Sequence, residues 1–191
     1  LDGFSWPNPK FPVCLLSVNG MERLDGTSYT NEAEASAVVQ AVRQLIGGGL
    51  AAASLGIVAP YAAQVRLIRR KLQASGVSTG GDGKGVEVSS VDGFQGREKD
   101  AIVMSTVRAS ASGGLGFVAD WRRINVAFTR ARRGLIVVCQ PWTLARDSRS
   151  WLPWLHWVKG NQCDGGQLSS LPELDPEAAS VGITELERAA S

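Results

Sequence analysis

The chain has 191 residues and a mass of 20.3 kDa, enough for one ordinary domain with a real hydrophobic core but not for two large ones. At 44% hydrophobic and 20% charged residues it is neither collagen-like nor wholly disordered. The net charge of +2 conceals a division: from residue 164 onward six acidic residues and one basic carry −5, so residues 1–163 carry +7. A basic body suits a polyanionic partner through phosphate neutralisation, or is simply a solvated surface somewhat rich in Arg.

Apolar stretches such as residues 50–63 are broken by Gly, Ser and Pro and fall short of the roughly 20 residues a spanning helix needs. The N-terminus has neither a basic n-region nor an apolar h-region, so no signal peptide is expected. Cys14, Cys139 and Cys163 are odd in number, far apart and without metal-ligand spacing, which suggests an intracellular protein with no disulfide framework and no zinc site.

Residues 13–18 form a short Val/Leu run bounded by Pro12 and Asn19-Gly20, a buried strand followed by a turn. Asn31, three residues before Glu34, has the spacing of a capping box, and Ala35, Val38, Val39, Val42 and Ile46 follow at helical intervals until Gly47. Residues 55–59 read as a second strand, stopped by Pro60. Val65, Ile68 and Leu72 then stripe a helix that also carries Arg66, Arg69, Arg70 and Lys71. Residues 77–85, with four glycines, read as a surface loop. Two β-branched runs, 86–91 and 101–107, are strands separated by the polar segment DGFQGREKD (92–100). After a Gly/Ser loop at 110–116 the spacing predicts a helix over 121–133 and a strand over 135–139. Trp151, Trp154 and Trp157 either dock one helix on the body or make a base-stacking surface. Residues 1–160 are thus expected to form an α/β domain with a mostly parallel central sheet covered by helices, and residues 161–191 an acidic, disordered tail.

Ligands of open parallel sheets sit at the carboxyl ends of strands, which draws attention to Pro60, Tyr61 and Gln64, to residues 92–100, and to INVAFTRARR (124–133). These segments are expected to gather Gln, Glu and several Arg at one edge, a surface for a phosphate-bearing ligand. The arginines could equally cap a helix dipole, Glu98 could make surface ion pairs of little worth, and Tyr61 could be core. The lone His156, among tryptophans, reads as a packed residue. The glycines at 80–85 do not make a phosphate loop, since Gly85 follows Lys84 and Ser78 stands where the first glycine belongs.

GTSYTNEAEA (26–35), LGIVAPYAAQ (55–64), VEVSSVDGFQGREKDAIVMSTVRAS (86–110) and GFVADWRRINVAFTRARRGLIVV (116–138) resemble, in order and spacing, the second RecA-like domain of superfamily 1B helicases. The likeness is to the up-frameshift type, the RNA helicase of nonsense-mediated decay, and runs from about Gly3 to Trp157. It implies a RecA-like, P-loop-NTPase-type fold. It places a nucleotide contact in the ribose region on Glu98, loop-shaping roles on Gly96 and Arg97, and an arginine finger for the γ-phosphate on Arg130. Ser90 and Asp92, with Pro60, Tyr61 and Gln64, would approach the nucleic-acid backbone. Phe128 replaces a common leucine and Gly93 a common alanine. The Walker A loop, the Mg²⁺-binding acidic motif and the adenine-contacting glutamine motif lie outside these residues. The resemblance therefore implies that ATP would sit between this domain and an N-terminal RecA-like domain in a longer chain, which would hold the Mg²⁺. By itself the chain is not expected to hydrolyse ATP. The implied partner is single-stranded RNA or DNA, with no membrane, in cytoplasm or nucleus. The alternative is a non-catalytic RNA- or protein-binding module derived from such a helicase.

Overall fold

The computed structural model describes residues 1, 3–80, 83–110, 114–168 and 171–174. In chain order, β1 (Val13–Ser17) leads to an antiparallel hairpin, β2 (Glu22–Asp25) and β3 (Ser28–Asn31), then to α1 (Glu32–Gly47). β4 (Leu55–Val58), α2 (Ala62–Ala74) and β5 (Glu87–Ser89) follow, then β6 (Lys99–Ser105), α3 (Trp121–Phe128) and β7 (Ala131–Cys139). A short α4 (Pro141–Leu144) and α5 (Trp151–Gly160) complete the helices.

Among the described residues the central sheet has five strands, all parallel, in the order β1-β7-β6-β4-β5. Its strands are apolar on both faces because helices cover both. Along β7, Leu135, Val137 and Cys139 join one core with Ile124, Trp151 and Trp154, while Ile136 and Val138 join the other with Val38, Leu45 and Ile68. This period of two sorts side chains between α3 and α5 on one side and α1 and α2 on the other. The expected α/β architecture with a parallel sheet is what forms, and it is RecA-like.

α1 begins where its capping box predicts: the Asn31 carboxamide oxygen accepts from Glu34 N–H at 3.1 Å. α3 is shorter than predicted. It ends at Phe128, and residues 131–133 begin β7 instead, because Lys99 N–H donates to the Arg130 carbonyl at 3.0 Å and Lys99 registers with Ala131, so sheet pairing overrides the helical preference of Ala and Arg. The tryptophans dock a helix. Trp151 and Trp154 are buried against Phe128, with ring centroids 6.0 and 5.4 Å away. Of the tail, residues 161–168 and 171–174 are described. Cys163, Asp164 and Leu168 are buried, and the Cys163 carbonyl accepts from Leu15 N–H on the outer edge of β1 at 2.9 Å, so packed structure continues past residue 160. The remainder of the tail lies outside the described residues.

The connection from β5 to β6 must return the chain from the carboxyl end of one parallel strand to the amino end of another. No long helix does this. A 3-10 turn at Asp92–Phe94 carries the chain across the sheet with Phe94 buried over Gly56, where an added Cβ would lie 2.5 Å from the ring. Only glycine permits so close a crossing.

Candidate functional site

At the carboxyl ends of the strands lies a buried polar network. Glu34, fully buried in the first turn of α1, accepts from Ser105 Oγ at 2.7 Å, Val107 N–H at 2.8 Å and Thr106 Oγ1 at 3.4 Å. Burial pushes its carboxyl up to about 7, against the opposing pull of those donors. Gln64, 0% exposed, accepts from Asn31 N–H at 2.9 Å and donates to the Asn31 carbonyl and Ser105 Oγ, both at 3.0 Å. Asn31 Nδ2 donates to the Val107 carbonyl at 3.2 Å.

Val107 is held from both sides in a left-handed conformation, φ 72°, which a β-branched residue adopts only at a cost of about 1–3 kcal/mol. The strain turns the chain so that Arg108, 6% exposed, reaches the hairpin. There it pairs with Glu22 at 2.8 Å, lies 4.7 Å from the Tyr29 ring centroid and donates to Tyr61 Oη at 3.3 Å. Burial alone would lower the Arg108 pKa, and the bonds to Glu22 and Tyr61 outweigh it, so the shift is upward. Tyr61 and Ser90 are half-buried here, Pro60 is buried, and Asp92 is exposed, with its carboxylate 3.8 Å from Arg123.

The amino ends of β6 and β7 are a different surface. Glu98 immediately precedes β6, Arg130 immediately precedes β7, and the two strands are neighbours. Glu98 is exposed and has no hydrogen-bond or ion-pair partner among the described residues. The half-buried Arg130 folds back on α3, donating through Nε to the Val126 carbonyl at 3.1 Å and through Nη2 to Thr129 Oγ1 at 3.3 Å. Arg132 pairs with Asp100 at 2.7 Å, and Arg133 is exposed. Gly96 turns the chain with φ 74°, and Arg97 reaches outward to pair with Glu87 on β5.

The predicted residues therefore do not share one edge. Pro60, Tyr61, Gln64, Ser90 and Asp92 lie at the carboxyl edge, and Gly96, Arg97, Glu98 and Arg130 at or towards the amino edge, because the parallel crossover carries DGFQGRE from one to the other. Gln64, expected to meet a phosphate, is enclosed, and its amide is fully engaged inside the fold. Sequence reasoning passed over Glu22, Tyr29, Glu34 as a buried acid, and Arg108. The Asp25-Gly26 pair flanked by ERL and TSYT was the available sign of the hairpin that brings two of them in. Among the described residues no three His, Cys, Asp or Glu side chains gather as metal ligands, and no helix is long and apolar enough to cross a membrane.

Fold and site together define a RecA-like α/β domain with two chemically distinct edges. The model of the AAA domain family matches residues 2–141, and the chain belongs to that family. It is similar to a homolog of regulator of nonsense transcripts 1 from Neurospora crassa, 40% identical over 162 residues, 84% of this chain and 15% of that protein. It is likewise similar to regulator of nonsense transcripts 1 from Dictyostelium discoideum, 42% identical over 75% of the chain and 11% of that protein. The ATP-dependent helicase upf1 of Schizosaccharomyces pombe is 41% identical over 81% of the chain and 16% of its own length. The likeness to up-frameshift helicases read from the motifs is thus a likeness of sequence over most of the chain, which spans only about a seventh of these relatives' length.

Proposed function

We propose that the chain is the second, C-terminal motor domain of an ATP-dependent superfamily 1 helicase acting on single-stranded RNA or DNA, in the cytoplasm or nucleus. The observation that carries this reading is the placement of Glu98 and Arg130 at the amino ends of adjacent strands, where the Lys99 N–H donates to the Arg130 carbonyl at 3.0 Å. An exposed carboxylate and a guanidinium at neighbouring strand ends make a fitting half of a nucleotide site. The carboxylate accepts from ribose hydroxyls, and the guanidinium offers planar donors to charge developing on a phosphoryl group. ATP, when bound, supplies that phosphoryl group. The Mg²⁺ would be held by an N-terminal RecA-like domain of a longer chain.

Arg130 exchanges the Val126 and Thr129 oxygens for the γ-phosphate as the two domains close, a population shift driven by contacts made only in the closed state. Gly96 shapes the loop that presents Glu98, and Arg97 braces it against Glu87. At the opposite edge Tyr61, on the shelf made by Pro60 and the buried Gln64, holds the nucleic-acid backbone where it passes Ser90 and Asp92, without reading bases. Alone, the chain does not turn ATP over. In the longer protein Arg130→Ala abolishes RNA-stimulated ATPase while RNA affinity is retained. Near-normal turnover would refute the assignment, and lost RNA affinity would move Arg130 to the nucleic-acid side.

A further inference from the structure

Beyond the two edges, the flank of the sheet beside β5 carries a feature that neither motif accounts for. α2 starts at Tyr61 on the carboxyl edge and runs back along the sheet. At 100° per residue its exposed Arg66, Arg69, Arg70 and Gln73 fall within an arc of about 100°, so they form one basic stripe about 10 Å long. The stripe opens into a cavity of about 500 Å³ lined by Arg69, Gln73, Thr79, Ser89 and Arg97, with Glu87 in its wall. Two guanidiniums thus face one cavity from different elements, one from α2 and one from the β5–β6 connection.

Both guanidiniums are held in place. Arg69 donates to the Val88 carbonyl on the free edge of β5, and Arg97 pairs with Glu87. Each contact uses part of a five-donor fork, leaves the rest for a ligand, and removes side-chain freedom that binding would otherwise cost. Glu87 does not neutralise the site, because Lys99 also reaches it, at 3.3 Å, so the one carboxylate is shared by Arg97 and Lys99 while Arg69 lines the same cavity. Further up the stripe Asp25 lies 3.6 Å from Arg66, both largely exposed, a pair of little worth in water. Hydroxyls from Thr79 and Ser89 and the Gln73 amide complete a donor set suited to phosphate oxygens. Among the described residues no aromatic face lines the cavity, which suits a phosphate rather than a base.

We propose that the α2 stripe and the β5 cavity form a second phosphate track, along which a single nucleic-acid strand continues after leaving the carboxyl edge at Tyr61. The proposal rests on the edge grip described under the proposed function and extends it by the length of α2. A strand long enough to pass Tyr61 gains these contacts and a shorter one does not.

The test is salt-titrated binding of two oligoribonucleotides, about 6 and about 12 nucleotides long, to the chain. Arg69→Gln with Arg70→Gln weakens binding of the longer RNA roughly tenfold and lowers its salt slope by about 1.4, the share of two phosphate contacts on a single strand, while the shorter RNA is unaffected. Lys at both positions restores the slope, because a point charge suffices for phosphate. Arg66→Gln with Arg70→Gln, which touches no buried group, gives the same length-selective loss and guards against an unfolded first variant. Equal losses for both lengths, or none for either, overturn the track. Tyr61→Ala separates this from the parent reading: it weakens both lengths if the edge grips the strand, and leaving both unchanged sinks the grip itself.

Discussion

At the carboxyl edge Asn31, Glu34, Gln64 and Ser105 are buried, and their hydrogen-bonding groups are met from within the chain, whereas at the amino edge Glu98 and Arg133 lie exposed and Arg130 is only loosely folded back. The first edge is finished by its own side chains. It is a stiff platform whose strained residue, Val107, is locked by Glu34 on one side and Asn31 on the other. The second keeps charges in solvent, at little cost, and the proposed function assigns them to a ligand and a second domain. A network closed within the fold contributes chiefly to stability, and, on the proposed function, the open one contributes chiefly to rate.

That contrast can be broken or sharpened by experiment. The largest effect belongs to the amino edge. Arg130→Ala should reduce ATPase of the longer protein by about 10³-fold or more, yet change the chain's unfolding free energy by less than about 1 kcal/mol in urea. A large stability loss would make Arg130 part of the framework. At the carboxyl edge the balance reverses. Glu34→Ala leaves the Ser105 hydroxyl and the Val107 N–H buried without their acceptor and should cost roughly 3 kcal/mol in the same denaturation.

The pH dependence sharpens the same point. Glu34 titrates near 7 in the fold and near 4.5 unfolded, so between those values the folded state holds the extra proton. Its contribution is full below about 4.5 and fades as pH rises, roughly 2 kcal/mol between about pH 5 and pH 7. Glu34→Gln should flatten that slope, and an unchanged profile would mean the carboxyl is not protonated in the fold. Smallest of all, Arg132→Ala breaks an exposed pair with Asp100 and should shift stability by less than about 1 kcal/mol, with the shift diminishing at high salt.

The strands of the sheet were legible because each is a short apolar run closed by Pro, Gly or a polar turn, and α1 because Asn31 and Glu34 have capping-box spacing. The hairpin was not, since ERLD and SYTN bury little apolar surface and are held through Glu22 by Arg108, a residue more than 75 positions later in sequence. Nor was the division of the site between two edges. DGFQGRE is continuous in sequence, and nothing in it states that Phe94 crosses over Gly56 and delivers Glu98 to the other end of the sheet. Gln64 illustrates the same limit. An exposed glutamine after a strand and an enclosed one are spelled alike, and only the arrival of Asn31 and Ser105 distinguishes them.

The bond from Leu15 N–H to the Cys163 carbonyl has a consequence for self-association. β1 is the last strand on its side of the sheet, and its outward amides at Leu15 and Ser17 are both occupied by the segment that follows α5, the second by Gln167 Oε1 at 2.6 Å. A chain cut after residue 160 would keep every strand of the sheet and lose this cover. It would present an apolar strand edge as a template on which another copy could build, and so would be prone to aggregate.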